Sequence, residues 1–141
     1  MRSPRALVIG IVGLAVLATA CSAASPSPSA GGAAITATLK EYLIELSSAT
    51  APAGSVTFSV TNSGTMIHEF VVLKTDIQAA DLPLTEDEVT EDDYTSMGEV
   101  ADLEAGASGE MTATLAAGHY AIICNLPGHV RQGMAIDFTV Q

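Results

Sequence analysis

Basic side chains are scarce in this 141-residue sequence, with five Lys and Arg against sixteen Asp and Glu for a formal charge of −11. Two of the five, Arg2 and Arg5, stand at the extreme N-terminus. Residues 35–141 keep only Lys40, Lys74 and Arg131 against all sixteen acids, a formal −13. A surface of that sign repels phosphate backbones and anionic membrane surfaces, which excludes a nucleic-acid-binding role. Cysteine is nearly absent too. Cys21 and Cys124 allow at most one disulfide, and their surroundings differ so much that two unrelated roles are expected instead. The chain has no internal repeat and no His-rich or Met-rich tract. Its longest apolar run, Ala6 to Ala20, is fifteen residues, short of the roughly 20 that span a bilayer.

What is present begins with an export pattern. Arg2 and Arg5 form a basic start, and the Ala6–Ala20 run suits the core of a signal peptide. Leu17-Ala18-Thr19-Ala20-Cys21 resembles a bacterial lipoprotein signal, with Ala18 where a larger aliphatic residue is usual. That resemblance implies a signal peptide over residues 1–20 and lipidation of Cys21 as the mature N-terminus. Ser22 to Ala34 holds only Ser, Pro, Ala and Gly, cannot build a core, and reads as a tether. Residues 21–34 would then stand a domain of residues 35–141 off the outer face of the cell membrane, on the periplasmic or extracellular side.

From Ile35 the hydrophobic period becomes two. Val56, Phe58 and Val60 alternate with Thr57, Ser59 and Thr61, and Met111, Ala113 and Leu115 with Thr112 and Thr114. His68-Glu69-Phe70-Val71-Val72-Leu73 is apolar at nearly every position and predicts a strand buried on both faces. Tyr120, Ile122 and Cys124 share one face, as do Met134, Ile136, Phe138 and Val140. Turn signals at Pro52-Ala53-Gly54, Asn62-Ser63-Gly64, Ala105-Gly106 and Ala117-Gly118 separate the runs. Many short strands with punctuating glycines predict an all-β sandwich. One segment departs from the pattern. Residues 86–93 carry six acids in eight positions, and Thr85 with Glu88 has the form of a capping box, which predicts a short helix at most.

The chemistry concentrates in Cys124-x4-His129-x4-Met134, with Pro127, Gly128 and Gly133 between the three. His68 opens a separate strand. Strand parity turns His68, Cys124 and Met134 inward, while His129 sits in a turn with its ring expected at the surface. His119 has the opposite parity to Cys124 and is expected to face outward. Each residue alone would pass as core or loop; together they are a set of soft and borderline donors. Zinc would ask for a fourth thiolate, imidazole or carboxylate, or a water, and none is placed for it. A weak axial thioether over a Cys-His-His plane suits copper.

At these residues the chain resembles the cupredoxins, the type 1 blue copper proteins. The resemblance rests on Val56-Thr57-Phe58-Ser59-Val60-Thr61-Asn62-Ser63-Gly64…His68 and on Gly118-x-Tyr120-x3-Cys124-x2-Pro127-Gly128-His129-x4-Met134, with a loop of rusticyanin-like length. It implies a Greek-key β-sandwich of seven to eight strands with an acidic insertion. His68, Cys124 and His129 would be the equatorial ligands of one copper ion and Met134 the axial one. Glu69 stands where relatives often carry Asn or Ser, which puts a side-chain tie between the two ligand segments in question. Its backbone N–H remains available to the Cys124 sulfur, and Glu69 and Asn125 are expected to tune the site. The implied function is a one-electron carrier, not an enzyme. It would exchange electrons through His129 across an apolar surface of Leu126, Pro127, Val130 and Met66. The expected partner is a redox protein such as a cytochrome or oxidase, met by a monomer whose acidic run either steers a basic partner or merely aids solubility. A copper chaperone or storage lipoprotein is the alternative, and a binding module with a vestigial site a third reading.

Overall fold

The computed structural model describes residues 32–141. The export signal, Cys21 and most of the tether lie outside the described residues. The chain forms β1 (Ala33–Lys40), β2 (Leu43–Leu46), β3 (Thr50–Ala51), β4 (Gly54–Asn62) and β5 (His68–Lys74). It continues through β6 (Leu84–Thr85), β7 (Glu88–Val89), β8 (Thr95–Leu103), β9 (Ser108–Leu115), β10 (Gly118–Ile123) and β11 (Ala135–Val140). Ala33 and Ala34, read from composition as tether, open β1 because their backbones pair with Val56 and Thr57.

Two mixed sheets face each other, in the orders β2-β1-β4-β9 and β3-β11-β10-β5-β8, and β6–β7 forms a separate ribbon. The sandwich thus has nine strands where seven to eight were expected; the surplus comes from short edge pieces such as the two-residue β3. β1 runs parallel to β4 and β3 parallel to β11, and the remaining pairs are antiparallel. Alternation builds the main core. Ile35, Leu39, Val56, Phe58 and Val60 of one sheet meet Phe70, Val72, Tyr120, Ile122 and Phe138 of the other. Phe58 sits at the centre, with its ring 5.3 Å from Phe70 and 5.4 Å from Phe138, centroid to centroid.

β5 and β10 are buried on both faces, and the acidic segment is the reason. Val71, Leu73, Ala121 and Ile123 form a second cluster with Ala79, Leu82, Val89 and Val130. Residues 79–93 are therefore not a solvated insertion; their few apolar side chains cover the outer face of the second sheet while the acids face outward. The expected short α-helix does not form. Thr85 and Glu88 pair instead as strands of the β6–β7 ribbon. Between them Glu86 and Asp87 have φ of 53° and 72°, the left-handed pair that a tight primed hairpin turn requires. Two 3-10 turns, Ala79–Asp81 and Glu91–Asp93, complete the segment.

Candidate metal centre

Three donors converge at one end of the sandwich. His68 is the first residue of β5, Cys124 follows the last residue of β10, and His129 lies in the loop before β11. One ligand atom from each lies within 4.8 Å of the others. Nδ1 of His129 is 3.2 Å from the Cys124 sulfur and Nδ1 of His68 is 3.9 Å from it. Donors bound roughly 2.0–2.3 Å from a common ion stand about 3.5–4 Å apart when they share a plane, so the triad already has the span of a three-ligand site. His68 and Cys124 are wholly buried and His129 is 7 % exposed. His129 therefore does not reach open solvent as its turn position suggested. The Tyr42 ring stands edge-on to it at 5.6 Å.

Backbone bonds fix the loop that carries the site. The Cys124 N–H donates to the Met134 carbonyl (3.0 Å), the Met134 N–H to the His129 carbonyl (3.0 Å), and the His129 N–H to the Leu126 carbonyl (2.9 Å). Met134, wholly buried in the main core, is thereby placed directly beside Cys124. Across the gap, β5 slips register against β8 between His68 and Phe70. The Glu69 N–H points at the Cys124 sulfur at 3.4 Å, as expected from the sequence. Buried Asn62 shapes the approach to His68: its Nδ2 donates to the carbonyls of Met66 (2.7 Å) and Leu103 (2.8 Å), and its Oδ1 accepts from Gly64 N–H (2.9 Å).

Burial dominates the electrostatics. It pushes the Cys124 thiol up and pulls both imidazoles, His68 and His129, below their ordinary values. Neutral imidazoles are what a metal needs, and a cation would offset the cost of forming the buried thiolate. Glu69 is pushed up to about 7, first by burial and then by Glu91 and Glu99, against a pull downward from the Asn125 backbone N–H. Glu41 is drawn down to about 2, chiefly by the backbone N–H of Thr65.

The remaining sequence-predicted residues divide. Met66 is exposed, Pro127 exposed and Leu126 half-buried near the site. Val130 corrects the expectation of a surface residue: it is 8 % exposed and packs into the second cluster under the acidic segment. Asn125 is buried and bonded to Val89 and Glu91. His119 faces away from Cys124 as predicted; its ring nitrogens lie 2.7 Å from the Thr75 carbonyl and 2.9 Å from Asp137. Glu41 and Tyr42 were missed. Both belong to a turn between strands, far in sequence from every ligand, and their one signal was an acid and an aromatic at the mouth of a hairpin.

The family profile for the cupredoxin-like domain matches residues 10–136. No protein of curated function matches the sequence. Among solved structures, reduced auracyanin from the photosynthetic bacterium Roseiflexus castenholzii aligns with 22% identity over 79% of this chain and 99% of its own, with a TM-score of 0.62. An azurin from Methylomonas sp. strain J aligns with 18% identity over 79% and 99%, TM-score 0.59. Rusticyanin from Thiobacillus ferrooxidans aligns with 17% identity over 79% of each chain, TM-score 0.56. At these identities the likeness is one of fold.

Proposed function

The chain belongs to the cupredoxin-like family, and on that premise we propose that it is an exported, lipid-tethered carrier of single electrons. The observation that carries the reading is the buried Cys124–His68–His129 triad, its donor atoms within 4.8 Å of one another, with Met134 enclosed beside it. His68, Cys124, His129 and Met134 make up a type 1 copper site, and copper bound there supplies the Cu(II)/Cu(I) couple.

The protein's own part is to hold the donors still. Cys124 and Met134 are stapled by a backbone bond, His68 begins a strand buried on both faces, and the Glu69 N–H supports the sulfur. A frame that does not rearrange between oxidation states keeps electron exchange fast. His68, Cys124 and Met134 are wholly buried and His129 is 7 % exposed, an enclosure that suits a carrier and not an enzyme. His129 is the ligand closest to solvent. Pro127, in the same loop, and Met66, two residues before His68, are exposed, and this small apolar area serves as the contact for a redox protein such as a cytochrome or oxidase. The carrier works as a monomer. Lipidated Cys21 and the Ser-, Pro-, Ala- and Gly-rich segment between it and β1 anchor it outside the cytoplasm, at the membrane surface, with residues 1–20 removed.

The deciding experiment titrates the purified metal-free chain with Cu(II) under visible and EPR spectroscopy. An intense blue or green thiolate-to-copper band, reversibly bleached by reductant without loss of copper, supports the carrier. A colourless product that prefers zinc overturns it, and transfer of Cu(I) to an acceptor on mixing would identify a chaperone. Mass spectrometry of the membrane fraction, compared with Cys21→Ala, tests the anchor separately.

A further inference from the structure

The turn between β1 and β2 touches both imidazoles of the site. Tyr42, in the left-handed region at φ 61°, packs its ring against His129. Glu41 reaches the other way. Its Oε1 accepts from the Thr65 N–H, from the Thr65 hydroxyl (3.1 Å) and from the Met66 N–H (3.0 Å), clasping the segment that leads into His68. Gly64 permits this close approach, because a Cβ there would lie 2.7 Å from the same oxygen.

That oxygen also stands 4.0 Å from Nε2 of His68. Nε2 is buried and is the one buried side-chain nitrogen or oxygen among the described residues without a hydrogen-bond partner. Nδ1 of the same ring faces the Cys124 sulfur, so when Nδ1 is the ligand atom the proton resides on Nε2. A ligating imidazole ordinarily donates its second N–H to a carboxylate, carbonyl or water, which sets the ring's orientation and basicity. About 1 Å of closure would turn the present gap into a hydrogen bond.

We propose that Glu41 is a positioning residue of the copper site, whose carboxylate receives the Nε2–H of His68 while clasping Thr65 and Met66. The proposal rests on the copper reading above. It gives one carboxylate two effects. The first is mechanical: the ring and the chain entering it are held by a single carboxylate. The second is electrostatic: a full negative charge behind a ligand favours the more positive, oxidised form of the site and lowers its reduction potential.

Two variants separate the effects. Glu41→Gln keeps an oxygen that can accept from Thr65, Met66 and His68 but removes the charge. Glu41→Ala removes both. Expected for Glu41→Gln is a copper stoichiometry and visible band like those of the wild type, a melting temperature near its value, and a reduction potential shifted upward. Expected for Glu41→Ala is copper affinity weaker by about 10–100-fold in competition with a chelator. The wild type in its Cu(I) form is expected to show a slowly exchanging His68 Nε2–H resonance by NMR, and Glu41→Ala is expected to lose it. A blue wild-type chain whose Glu41→Gln variant keeps its potential, and whose Glu41→Ala variant keeps that resonance, overturns this proposal alone. A wild-type chain that takes up no copper overturns the copper reading and this proposal with it.

Discussion

Asn125, the residue after Cys124, closes a two-way bridge with Val89: the Val89 N–H donates to its Oδ1 at 2.7 Å and its Nδ2 donates to the Val89 carbonyl at 2.9 Å. The same Nδ2 reaches Glu91 Oε1 at 2.9 Å. Further along, the Gly128 N–H donates to the Asp87 carbonyl at 3.0 Å, and Arg131 pairs with the Asp87 carboxylate. The acidic ribbon is thus stitched to the loop that carries the metal ligands. Asn125→Ala leaves the Val89 N–H and carbonyl without partners, each at a cost of about 1–3 kcal/mol when buried. Chemical denaturation should show a loss of about 2–4 kcal/mol, and amide exchange should quicken over residues 84–93 before the sandwich core. Equal protection there in variant and wild type would mean the ribbon holds without this bridge.

That attachment places the acids of the ribbon beside the proposed exit for electrons. Glu86, Asp92 and Asp93 are exposed, and the described domain carries a formal −13. Charge of one sign near an exchange site raises encounter rates with opposite charge and depresses them with like charge, by amounts that salt screens. Electron transfer from the reduced protein to a cationic small-molecule oxidant should therefore slow as ionic strength rises, and transfer to an anionic one should quicken. Replacing Glu86, Asp92 and Asp93 by Asn or Gln should weaken both trends. Rates indifferent to salt with both oxidants would remove the ribbon from any steering role.

Met134 and Cys124 are neighbours in space with opposite expected sensitivities. Met134 is wholly buried, and Met→Leu conserves volume, so Met134→Leu should cost under about 1.5 kcal/mol in stability. A weak axial thioether contributes little to holding the ion but tunes the couple; the variant should keep most of its colour with a raised reduction potential by voltammetry. Cys124→Ser should abolish the visible band altogether. Loss of all copper in Met134→Leu would show that Met134 is no weak ligand.

Much of this was legible along the chain because strands write their orientation into the sequence. Alternation fixed which way His68, Cys124 and Met134 point, and the unbroken apolar run of β5 announced burial on both faces. What covers that second face was not legible: a segment with six acids in eight residues reads as solvated, and only the tertiary placement of Ala79, Leu82 and Val89 reveals its apolar side. The burial of Val130 was hidden for the same reason, since loop position says nothing about a cluster partner such as Val89, 41 positions earlier in the chain. His129 was read as open because nothing marks Tyr42 as its cover. The helix signal at Thr85–Glu88 failed because a tight hairpin turn also takes polar residues, and here pairing of Leu84 with Val89 outweighed the cap. Glu41 left no mark beyond an acid at the mouth of a hairpin; its role comes from a turn folded back onto a loop 24 residues later.

Glu69 makes the stability of the metal-free protein fall as pH rises. Its carboxyl is raised from an ordinary 4.5 to about 7, first by burial and then by Glu91, Glu99 and Asp102. The neutral form is thus the one the fold prefers. In the unfolded chain Glu69 loses its proton near 4.5, while in the folded protein it retains it to about 7. Between those values the folded state binds more protons, so stability contributed by this group falls as pH rises; it is fully present below about 4.5 and gone above about 7. Glu69→Gln, which has no proton to lose, should match the metal-free wild type at pH 4.5 and exceed it in stability above pH 7. Urea denaturation of both proteins across that range reads the difference directly, and the buried histidines, common to both, drop out of the comparison. A gap that stays constant with pH would mean that Glu69 ionises as freely in the fold as outside it, and that the acidic surroundings of the ligand strand exert no hold on its charge.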